Sequence, residues 1–176
     1  MRDADGVALP PPEFSRMARL PEAPRHLTLA ATPAECAALA ERFVILGVES
    51  LQAELTLTPA TSGIVRVGGT LRAAVTQACV VTLEPVAEQV VVDLHLVVLP
   101  DGTPPTDDDP ESPDEIESQA GMVDLGEAVA EQLALALNPY PRLPDAAVPD
   151  LDPPQPDAAP NPRPNPFATL AQLKRG

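Results

Sequence analysis

Val48-Glu-Ser-Leu-Gln-Ala-Glu-Leu-Thr-Leu-Thr58 places Leu51, Ala53, Leu55 and Leu57 on one parity and Ser50, Gln52, Glu54, Thr56 and Thr58 on the other. Side chains of a strand alternate between faces, so this period of two predicts a strand with one face on a core and one toward water. The pattern returns downstream. From Val65 to Leu83 the odd positions are mostly apolar (Val65, Val67, Leu71, Ala73, Val75, Cys79, Val81, Leu83), and the even ones include Arg66, Thr70, Arg72, Thr76 and Thr82. Gly68-Gly69 in its middle predicts a bulge or a strong bend. Val86 to Leu99 reads as a third long strand with Val90, Val92, Leu94, Leu96 and Val98 inward. Two shorter extended pieces, Phe14–Leu20 and His26–Ala30, precede these three. Long strands joined by the short signals 59–63 and Glu84-Pro85 predict an antiparallel meander that curls.

Two helices have start signals. Thr32-Pro33-Ala34-Glu35 is a capping box with Pro at the first helical position, opening a helix that runs to about Phe43. Asp124-Leu-Gly-Glu127 repeats that logic, and Leu125, Val129, Leu133 and Leu137 step by four along one face until Asn138-Pro139. Packing that stripe on the sheet covers its apolar face. The fold class is therefore α+β: a curled antiparallel meander, a partly open barrel-like sheet, packed by two helices.

Proline marks the limits of the domain. Of 24 prolines, five lie in 100–113 and eleven in 139–166, whereas 114–138 has none. Each proline removes a backbone donor and holds its predecessor extended, so these stretches sustain neither helix nor central strand. We expect a flexible N-terminus over 1–13, one domain over 14–141 with a disordered acidic loop at 101–119, a Pro-rich tether at 142–164, and a short helical motif at 165–176. Charge follows the same map. The chain carries -15 with a single lysine, Lys174; residues 101–157 hold 15 acids and one base, and 1–100 hold 11 acids and seven arginines. Clustered cations are what bind polyanions, so a general nucleic-acid surface is disfavoured. Aromatics at 2% leave no stacking platform for bases. The first twelve residues hold two acids and three prolines with no apolar run, and the longest apolar stretch, Val90–Leu99, is well short of the roughly 20 residues a spanning helix needs. The expectation is a cytoplasmic protein without a membrane segment, its two cysteines, Cys36 and Cys79, being free thiols.

The search for chemistry yields no catalytic, cofactor or metal residues. Cys79 lacks a nearby second thiol, with Thr82 where a Cys-x-x-Cys would end, and its parity reads as a small core residue. Cys36 reads the same way in its Ala-rich helix. Asp93 and His95 share the strand face opposite the core and have no identifiable third ligand. Gly68-Gly69 lacks the helix and lysine of a phosphate loop. Pro110 and Pro113 break the only stretch that is like a calcium loop in composition. The expectation is a protein that is not an enzyme and takes no cofactor.

One unusual feature remains at the chain end. After a tether of low hydrophobicity, Phe167, Leu170 and Leu173 return, followed by Lys174-Arg175. This reads either as a helix that docks on its own sheet or as a short linear motif that folds on a partner, the tether giving it reach. The ending resembles the Asn-Pro-Phe-Ala-x-Leu-x-x-Leu-Lys terminus of the bacterial YceD family, through Asn165, Pro166, Phe167, Ala168, Leu170, Leu173 and Lys174. Similar too are Glu35–Arg42 before the long strands, Cys79-Val-Val-Thr-Leu-Glu-Pro85, the acidic loop, and Asp124-Leu-Gly-Glu with its helix ending at Asn138-Pro-Tyr-Pro141. Many members look as if they carry Cys-x-x-Cys where this chain has Cys79 and Thr82, a departure that removes support for a metal or redox role here. The resemblance implies a non-enzymatic role in accumulation or processing of large-subunit ribosomal RNA, and so in large-subunit assembly. A strongly acidic chain is repelled from RNA at long range, so action through a basic ribosomal protein or RNA-processing factor is the expectation. Direct RNA contact through Arg16, Arg19 and Arg25 or through Lys174 and Arg175, and an uncharacterised enzyme, are the alternatives.

Overall fold

In the computed structural model, residues 14–105 and 112–146 are described. The expected N-terminal segment, the tether beyond Ala146 and the motif at 165–176 lie outside them. The described chain runs β1 (Met17–Arg19), β2 (Arg25–Ala30), α1 (Pro33–Phe43), β3 (Gly47–Pro59), a 3-10 turn at Thr61–Gly63, β4 (Val65–Ala78), β5 (Pro85–Leu99), β6 (Asp114–Glu117), β7 (Met122–Asp124) and α2 (Leu125–Ala136). Five strands form an open sheet in the order β2-β3-β4-β5-β6, and β1 pairs with β7 in a separate ribbon.

The alternation of the three long strands sets the core. Leu51, Ala53, Leu55 and Leu57 of β3, Val65, Val67, Leu71, Ala73 and Val75 of β4, and Leu94, Leu96 and Val98 of β5 are all buried in one cluster. Leu39 and Ala40 of α1, and Leu125, Val129 and Leu133 of α2, complete it from the same face. Burying a leucine fully contributes about 2 kcal/mol, so a face of this size holds the helices mainly through aliphatic side chains. Phe14 is the one fully buried aromatic among the described residues.

Both helix starts carry their caps. Thr32 accepts from the Glu35 N–H while the Glu35 carboxylate accepts from the Thr32 N–H, closing the capping box. Asp124 caps α2 by accepting from Gly126 and Glu127 N–H, but Glu127 does not reach back. Its carboxylate instead pairs with Arg42 at 2.9 Å and joins the two helices.

Three boundaries differ from expectation. β4 stops at Ala78, because Cys79 N–H donates to Glu84 O at 2.8 Å and Leu83 N–H to Cys79 O at 2.9 Å, turning the chain early. Leu83, which shares the inward parity, is 76% exposed. Gly68-Gly69 makes no bulge: β4 keeps register with both neighbours there, and the irregularity is in β3 between Val48 and Ser50. A Cβ on Gly69 would run into the Glu54 carbonyl, so this glycine serves close strand approach instead. Lastly, Asp114–Glu117, expected inside the disordered loop 101–119, forms an edge strand parallel to β5, from Leu96↔Asp114 to Leu99↔Glu117. Ile116 packs on the core, and the flanking acids stand on an edge where charge discourages further pairing. The meander is thus antiparallel except at this edge.

Candidate functional site

Two sequence segments that lie some sixty residues apart meet at one corner of the sheet. The first is the end of β4 with the turn Cys79–Glu84, and the second is Asn138-Pro139-Tyr140-Pro141 after α2. Gln77 Nε2 donates to Asn138 O at 3.0 Å, Asn138 Nδ2 to Glu88 Oε1 at 3.1 Å, and Val80 N–H to Pro141 O at 2.9 Å. The Asn138 side chain also accepts from Tyr140 N–H at 3.0 Å, which fixes the kink where prolines end the helix.

The chain beyond Pro141 stays on this corner. Leu143 and Ala146 pack on Cys79, Val81 and Val86 in a small second cluster. Arg142 donates to Ala146 O at 2.6 Å and closes the turn. Residues 142–146, expected to be the start of the tether, are therefore part of the packed domain, because Leu143 and Ala146 supply apolar surface among the prolines.

Cys79 is fully enclosed, as its parity predicts, though in this second cluster and not the main core. Its sulfur accepts from Thr82 N–H at 3.5 Å. The Thr82 hydroxyl and the Leu143 backbone hold the thiol below its ordinary range, while burial pulls the other way. Both cysteines are free and buried, and enclosure pushes the Cys36 thiol up. Among the described residues no group of three or more His, Cys, Asp or Glu side chains stands together as a metal site. At Cys79 the neighbours are one hydroxyl, backbone N–H groups and an apolar wall, a donor set that does not fit a metal.

The other candidates are dispersed. Asp93 is exposed on the outer sheet face, 3.4 Å from the Thr70 hydroxyl, and His95 lies on the same face one row away. Arg16 is engaged: both its terminal nitrogens pair with Glu35, at 2.6 and 2.9 Å, and its guanidinium lies 4.5 Å from the Phe14 ring centroid. Arg19 and Arg25 are exposed. The expected partner-binding residues Asn165, Pro166, Phe167, Ala168, Leu170, Leu173 and Lys174 lie outside the described residues. The sequence marks Gln77 only by its polar side chain at an inward position between Val75 and Cys79.

Residues 67–174 match the family model of the large ribosomal RNA subunit accumulation protein YceD. The chain belongs to the YceD family. No curated protein and no solved structure matches it. The matched region of this YceD chain begins within β4, takes in the whole corner and α2, and ends at Lys174. No helix among the described residues is long and apolar enough to cross a membrane.

Proposed function

We propose that the chain is a non-enzymatic factor that supports accumulation and processing of large-subunit ribosomal RNA, and hence large-subunit biogenesis, by binding a basic protein. The observation that carries this reading is the match to the large ribosomal RNA subunit accumulation family over 67–174. The charge of -15 supports a cationic protein as the direct partner, since a chain with this balance is drawn to cations and repelled by RNA. The engagement of Arg16 by Glu35 further weakens the case for an RNA patch built on Arg16, Arg19 and Arg25.

In this reading Asn165–Lys174 is a partner-binding motif, with Phe167, Leu170 and Leu173 as its apolar anchor and Lys174 near its end. The test is affinity purification of the tagged full chain from its own host, with and without nuclease, alongside the ratio of large to small subunit RNA in a strain lacking it. Nuclease-resistant capture of basic proteins and a lowered large-subunit ratio are expected. Capture that vanishes with nuclease would point to RNA as the direct ligand.

A further inference from the structure

Beside the corner, an open groove of about 550 Å³ runs between the end of α1, the end of β4 and the last turn of α2. Val44, Ile45, Val80, Leu135 and Leu137 line it, and Gln77 stands among them. Two observations set this groove apart from an ordinary surface dip. Val44 is 89% exposed and adopts the left-handed conformation, φ 56°, which a β-branched residue enters only at a cost. Leu135 is 77% exposed on the rim. Second, Gln77 is 93% buried, its amide nitrogen bonds Asn138, and its carbonyl oxygen has no donor. A buried acceptor without a partner is a standing penalty, and its residue stands in the wall of this groove.

The surroundings select the occupant. No lysine or arginine lines the groove, so nothing there holds a phosphate backbone. Carboxylates flank it instead. Glu131, one turn before Leu135, lies in a neighbouring depression with Asp114, and Glu88 lies beyond Asn138. The Glu131 carboxyl is pushed up by burial and by the negative charge of Glu127 and Asp114, while Arg42, held by Glu127, pulls it part of the way back. A second copy of the chain brings the same sign of charge to the same place.

We propose that the groove docks a Lys/Arg-rich segment of a cationic protein, its Leu or Phe side chains filling the apolar floor and its cations meeting the flanking carboxylates. This rests on the reading that the chain acts through a basic protein, and it assigns a surface of the folded domain that does so alongside Asn165–Lys174.

The full chain is titrated by fluorescence anisotropy into three short fluorescein-labelled peptides. One alternates Lys with Leu and Phe, one has Glu in place of Lys, and one has Ser in place of Leu and Phe. The first should bind well and the other two far more weakly, with backbone amide shifts at Ala78, Leu135 and Asn138. Leu135→Glu should weaken the first peptide at least about tenfold, although it adds a negative charge that would strengthen purely electrostatic attraction. Val44→Asn suits the left-handed position, so it should raise the thermal midpoint while weakening binding several-fold. Equal or tighter binding by Leu135→Glu, equal binding of the Ser peptide, or amide shifts confined elsewhere overturns the proposal. A dimer that Leu135→Glu breaks overturns it in favour of a second copy. In the nuclease experiment, undiminished capture by Leu135→Glu overturns the groove and leaves the functional reading standing, whereas wild-type capture lost to nuclease overturns the reading and the groove's partner with it.

Discussion

Asp124 serves two parts of the molecule at once. Its Oδ1 accepts from Gly126 and Glu127 N–H, each at 3.1 Å, as the α2 cap, and from Arg16 N–H at 2.7 Å, tying the first strand to the helix start. Asp124→Ala removes both functions and should cost about 2 to 3 kcal/mol in urea unfolding, while Asp124→Asn, which keeps the oxygen, should lose clearly less. Glu35 is the complementary case on α1. Arg16 beside it, with the Thr32 N–H, holds its carboxyl at about 2, against 4.5 ordinarily. A depressed acid stabilises the folded state above its unfolded pKa and loses that contribution as pH falls through the folded value, so the loss runs from about pH 4.5 down to about 2. The pair is partly exposed, so on the order of 1 kcal/mol is at stake. Urea midpoints of Glu35→Gln should vary less with pH across that window than those of wild type. A variant with the wild-type slope would show that other acids govern the loss.

At the scale of elements, the long strands depend on how closely β3 and β4 approach. Gly69 lies over the Glu54 carbonyl, and a methyl there forces β3 aside. Gly69→Ala should lower stability by about 2 kcal/mol, whereas an alanine at Gly68, whose nearest neighbour for a Cβ is Leu94 O at 3.8 Å, should be far milder. The turn after β4 makes a separate prediction. Cys79→Ala empties a small part of the cluster under Leu143 and Ala146 and should cost about 1 to 2 kcal/mol with partner capture retained. Loss of capture in a folded Cys79→Ala protein would assign the thiol a direct role.

Across the whole molecule, the edge strand and the corner draw proline-flanked residues into the domain. Hydrogen exchange should protect amides of Val97 to Leu99 and of β6, where the parallel ladder runs. Exchange at β6 as fast as in a free peptide would contradict that pairing. The C-terminal motif gives the complementary test of function. Deleting 165–176 should reduce partner capture and mature large subunits while leaving the thermal midpoint of the domain nearly unchanged. A large fall in the midpoint would instead make the motif part of the domain's stability.

Elements whose signal is local are legible in the residues alone. Alternation over Ser50–Thr58 and Val65–Val75 names the inward face, since side chains of a regular strand alternate. Thr32-Pro33-Ala34-Glu35 names the start of α1, because the capping bonds form within four residues. The chain's family-like segments were also legible as separate motifs. What only the tertiary structure decided depends on distant partners. Asp114–Glu117 has one apolar residue and becomes a strand only because β5 presents an unpaired edge to it. Glu127 leaves the capping position because Arg42 of the other helix is within reach. The groove beside Gln77 has no signature in any one stretch. It exists because α1, β4 and α2 all end at the same place, and burial there turns a polar side chain at an inward position into an acceptor without a donor.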